Sequence, residues 1–157
     1  YDDNTETPDT QISTFVFPNY TLVWEHAQRT SLRFKGATLG MEWMGTKGTV
    51  VADDYGWRAT PEPGIGEFEA EEHSPVKENA RDFHGRNFIE CVRNRTKPIY
   101  HPEEAHYATT IAHLGNLAYR SGSEIRWDAK RERPIDNPAA AALMMPSYRS
   151  PWALPGI

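Results

Sequence analysis

The sequence predicts an α+β fold, with antiparallel strands in its first half and helices in its second. Two observations predict it. Residues 11–60 hold short runs rich in β-branched and aromatic residues, broken by turn residues. From residue 79 onward, apolar residues recur at helical spacing instead. Strands grouped first and helices grouped after is the α+β pattern. The chain has 157 residues, 38% of them hydrophobic and 25% charged, which suits a folded core rather than disorder. Residues 1–157 read as one domain, in which the polar stretch 1–10 is a connector and 146–157 an extended tail.

The elements follow in order. Gln11 to Phe17 and Thr21 to Ala27 read as a hairpin turned by Pro18, Asn19 and Tyr20. Leu22, Trp24 and His26 share one face of the second strand, and Val23 and Glu25 share the other. Both faces are mixed, so the sheet is expected to be covered on both sides. Met41 to Met44, Thr49 to Ala52 and Trp57 to Thr60 form further strands, with turns at Gly45–Gly48 and Asp53–Gly56. Residues 61–78, acidic and rich in Pro and Gly, read as an irregular surface loop.

A first helix is expected from Asn79, its N-cap, to about Arg95, burying Phe83, Phe88, Cys91 and Val92. A second opens at Pro102, with Glu103 and Glu104 at its positive dipole end, and stops at Gly122. Glu124 to Trp127 reads as a last strand. Asn137 caps a short alanine-rich helix that reaches about Met144.

Several function classes are excluded by composition. The net charge of −5 leaves no basic footprint for nucleic acid. No apolar run approaches the roughly 18 residues of a membrane span. One cysteine, Cys91, allows neither an internal disulfide nor a cysteine-cluster zinc site. The sequence contains no P-loop and no Gly-x-Ser-x-Gly elbow. Its only Gly-x-Gly, at Gly64 and Gly66, neither follows an apolar strand nor opens a helix, as a dinucleotide site requires.

Two stripes on the second helix carry the chemistry that remains. Ala105, Ala108, Ala112, Gly115 and Ala118 are small, and small residues let another backbone come close. His106, Thr109, His113, Asn116 and Arg120, spaced alternately three and four apart, share another side. That polar side either walls a cavity or is a half-solvated surface. His106, His113 and Asn116 are the candidate substrate contacts on it, and His26 is the candidate on the hairpin. His106 and His113 lie two turns apart, roughly 10.5 Å along the axis, too far to share a metal. His101 and His106 miss the i, i+4 relation of zinc-binding helices, so no metal site is expected.

Four segments, in order, resemble the C-terminal domain of the glucose–fructose oxidoreductase / inositol dehydrogenase / rhizopine-catabolism (Gfo/Idh/MocA) family. They are Met41-Glu-Trp-Met-Gly-Thr-Lys-Gly-Thr49, His84-Gly-Arg-Asn-Phe-Ile-Glu-Cys-Val-Arg-Asn-Arg-Thr-Lys-Pro98, His113-Leu-Gly-Asn-Leu-Ala-Tyr-Arg120 with Trp127-Asp128, and Tyr148-Arg-Ser-Pro-Trp152. The resemblance implies an open, mainly antiparallel β-sheet with helices packed on one face. It also implies an NAD- or NADP-binding Rossmann domain ahead of Tyr1. The usual reaction is hydride transfer between a hydroxyl of a sugar, sugar derivative or cyclitol and the nicotinamide. The family's catalytic lysine and its Asp–His pair stand in motifs this sequence does not contain, so no catalytic or cofactor-binding residue is assigned here. The chain alone is expected to bind no cofactor and to be inactive.

The resemblance further implies a homo-oligomer formed through the sheet. Tyr148, Arg149 and Trp152, residue types favoured at interfaces, either anchor such a contact or pack back on their own domain. Two other readings stay open. One is the same domain in an NAD-dependent, redox-assisted glycosidase of this family. The other is a non-catalytic assembly module.

Overall fold

A computed structural model describes residue 4, residues 7–28, residue 31 and residues 33–74, 80–145 and 148–152. The chain divides into two compact units: Tyr1–Gln28 with Tyr100–Ile157, and Arg29–Ile99. Every strand pairing among the described residues is antiparallel, and three helices accompany the sheets, so the α+β expectation holds.

In the first unit, β1 (Thr10–Val16) and β2 (Thr21–Ala27) form the expected hairpin, in register from Thr10↔Ala27 to Val16↔Thr21. Phe17 and Tyr20 close it: the Phe17 N–H donates to the Tyr20 carbonyl at 2.9 Å, and the two rings stack at 4.4 Å. One face carries Gln11, Ser13, Phe15, Leu22, Trp24 and His26. The other carries Ile12, Val16 and Val23, and it is bare, with Val16 83% exposed. Among the described residues, the hairpin is thus not covered on both sides by its own unit.

Helix α2 (Pro102–Ser121; the first helix, α1, belongs to the second unit) meets the inner face of the hairpin at Gly115, which is buried. A Cβ there would stand 2.9 Å from Ser13 Oγ and 3.3 Å from Gln11 Nε2. The small residue therefore sits where two backbones approach most closely. The helix starts as its sequence dictates. Nδ1 of His101 accepts from the Glu103 N–H, and the Glu104 carboxylate accepts from the His101 N–H, which makes a capping box. It ends at Gly122, left-handed at φ 61°, whose N–H reaches the Ala118 and Tyr119 carbonyls.

The expected last strand, Glu124 to Trp127, is shorter and shifted. β7 (Trp127–Asp128) pairs with β8 (Arg133–Pro134), a strand the sequence reading did not include. The turn between them is organised by Asp128, whose side chain supplies what no hydrophobic pattern records. Helix α3 (Pro138–Leu143) follows and packs on α2 and β8. Asn137 Oδ1 accepts from the Ala140 N–H at 3.0 Å, and Ala140 is fully buried. In the tail, the Trp152 N–H donates to the Arg149 carbonyl at 2.9 Å. Residues 148–152 thus contain a turn within the tail that the sequence reading had as extended. Residues 146–147 and 153–157 of the tail, and residues 1–3, 5 and 6 of the connector, lie outside the described residues.

In the second unit, β3 (Gly40–Gly45), β4 (Gly48–Asp53), β5 (Gly56–Pro61) and β6 (Glu71–His73) form an antiparallel meander. The first three match the sequence reading. β6 corrects it: within the expected loop, His73 pairs with Trp57, Glu72 with Arg58 and Glu71 with Ala59. Trp57 and His73 stack at 4.2 Å, a cross-strand contact that the acidic composition concealed.

The two faces of this sheet differ. Glu42, Val51, Arg58 and Glu72 share one, where Lys35 pairs with Glu42 at 2.6 Å. Met41, Trp43, Val50, Ala52, Trp57 and Ala59 share the other, with Glu71 and His73 of β6 at its far edge.

Helix α1 (Ala80–Asn94) lies where expected, its proposed cap Asn79 falling outside the described residues. Its stripe is a second correction. Cys91 is buried, but Phe83, Val92 and Phe88 are exposed, Phe88 to 58%. Helical spacing marked them as one face, but among the described residues of this unit no strand packs along that face. Asn87 Oδ1 accepts from the Ile99 N–H at 3.1 Å and holds the segment that follows the helix.

Candidate functional site

The candidate contacts lie on the first unit and fall into two groups. His106 and His113 are exposed on α2, and Asn116 is half-buried. At 100° per residue, His106 is diametrically opposite Gly115 around the helix and His113 nearly so. Gly115 faces the hairpin, so the two histidines face away from it. His26 stands on the hairpin's inner face, directly opposite Gln11. The structure therefore brings His106 and His113 to one side of α2 and leaves His26 on the other.

Each side chain has its own setting. His106 Nε2 lies 2.8 Å from Glu132 Oε1, which ties α2 to the β7–β8 turn. Thr109, on the same stripe, donates its hydroxyl back to the Ala105 carbonyl at 2.7 Å. Among the described residues, Nε2 of His26 is closed off from solvent with no hydrogen-bond partner. Burying a polar nitrogen without a partner is unfavourable, so this atom is a point where local stability is given up.

The sequence reading missed the turn beside this site. Asp128 Oδ1 accepts from the Lys130 and Arg131 N–H groups, each at 3.0 Å, and Oδ2 pairs with the Arg131 guanidinium at 3.0 Å. The Arg131 N–H, and then the Arg131 guanidinium, hold the Asp128 carboxyl below its ordinary range, against the opposing effect of desolvation. The Asp-x-x-Arg spacing at 128 and 131 was the available signal. Glu132 follows in the left-handed region at φ 50°, and so reaches His106.

An open cavity of about 530 Å³ adjoins this turn, lined by Asp128, Arg131, Arg133, Asp136 and Asn137. Three of these are already engaged: Asp128 and Arg131 with each other, and Asn137 with the Ala140 N–H and Ser123 Oγ. In the other unit, a depression of about 310 Å³ lies against Phe88, Cys91, Val92 and Arg95. Among the described residues, no three of His, Cys, Asp and Glu are grouped to hold a metal ion. None of the described helices is long and apolar enough to cross a membrane.

Of the candidate anchors in the tail, Tyr148 and Trp152 are both exposed large aromatics, and Arg149 lies exposed between them. A family model described as "oxidoreductase family, C-terminal alpha/beta domain" matches residues 73–154. The match runs from β6 to the tail and takes in all three helices. No curated protein and no solved structure matches the chain.

Proposed function

This chain belongs to the Gfo/Idh/MocA oxidoreductases, as that family's C-terminal α/β domain, and from this premise we propose that it is the substrate-binding and oligomerisation part of an NAD(P)-dependent enzyme acting on a sugar, sugar derivative or cyclitol. In this reading the nicotinamide is held by a Rossmann domain, and this chain supplies the surface that meets the substrate. The observation that carries it is the match over residues 73–154, which includes α2 and its polar side.

His106, His113 and Asn116 are the groups proposed to meet substrate hydroxyls. An imidazole offers both a donor and an acceptor nitrogen, and a carboxamide offers two of each, which suits a polyol. His106 is further restrained by Glu132. His26, on the hairpin side of α2, is a separate candidate contact rather than a member of that group.

Self-association is proposed through the face carrying Met41, Trp43 and Trp57. Met41 is 60% exposed and Trp43 52%, beside the half-buried Val50, Ala52 and Ala59. Exposed apolar side chains grouped on β3–β5 in this way are of the kind that a subunit contact covers. Tyr148, Arg149 and Trp152 are proposed as additional anchors.

Two measurements test the enzymatic part. The isolated chain, titrated with NADH by fluorescence and calorimetry, is expected to show no saturable binding, and tight binding would place the nucleotide site here and overturn the reading. In the full-length enzyme, His113→Ala is expected to raise KM for the polyol roughly tenfold, about the worth of one hydrogen bond to a neutral partner, and to leave dinucleotide affinity unchanged. An unaltered KM would remove His113 from the substrate surface.

A further inference from the structure

We draw no further inference here: the strongest candidate, the open apolar face of the four-stranded sheet around Met41, Trp43 and Trp57, is the surface already proposed for self-association, and nothing in the structure shows any other occupant covering it.

Discussion

Asp53 and Asp128 are the two described carboxylates whose surroundings shift them clearly, and both do so by the same device. Asp53, its side chain only 1% exposed, accepts from the Tyr55 N–H at 2.8 Å and pairs with Arg58 at 2.9 Å. The Tyr55 N–H first, and the Arg58 guanidinium second, hold its carboxyl below the usual aspartate range. Asp128 is lowered likewise by Arg131. A carboxyl lowered on folding stabilises the fold fully above its unfolded-state pKa, and that contribution disappears as pH falls through the folded-state value. Asp128→Asn is therefore expected to lower Tm by a few degrees at neutral pH. The gap from the parent protein should close below about pH 4, where a free carboxyl protonates. Melts at pH 7, 5, 3 and 2 check this, and a gap independent of pH would show that the carboxylate's charge is not what matters. Neither aspartate stood out in the sequence, because each works through backbone N–H groups a few residues away, and a hydropathy pattern does not register such bonds.

At the scale of elements, legibility followed the source of the local signal. Helix α2 was readable from end to end because its caps are written in neighbouring residues: His101, Pro102 and Glu104 at one end, Gly122 at the other. The hairpins were readable because alternation and turn residues are also local. β6 was not, since Glu71 and Glu72 resemble a solvated loop until His73 is placed over Trp57. The α1 stripe had the right period, but periodicity names a face without naming what lies against it. The small-residue stripe of α2 was right about close packing at Gly115 and wrong about Ala108, which is exposed.

The tight approach at Gly115 makes a quantitative test. Gly115→Leu is expected to destabilise the protein by about 1–3 kcal/mol, the usual range for overpacking. Gly115→Ala is expected to be near neutral, since a helix-propensity gain of about 1 kcal/mol is set against displacing Ser13 Oγ. Urea denaturation of both variants measures this, and a leucine tolerated without loss would mean that the helix does not bear on the hairpin there.

For the whole molecule, the imbalance between the two faces of the β3–β6 sheet is the property with the clearest solution consequence. Trp43→Glu puts a charge among the apolar side chains of this face, on its edge strand β3, and is expected to weaken self-association at least tenfold, while leaving the far-UV circular dichroism unchanged. Sedimentation velocity across a concentration series checks it, and identical profiles for the two proteins would move the contact elsewhere. The division of the chain adds something different. One unit is assembled from the first and last parts of the polypeptide, and the other is spliced into it as a single uninterrupted stretch. Tethering the two outer parts through an intervening module carries an entropic penalty that rises only with the logarithm of its length, about 0.6 kcal/mol per doubling. A few residues added to an exposed turn of the inserted stretch therefore raise that penalty only slightly.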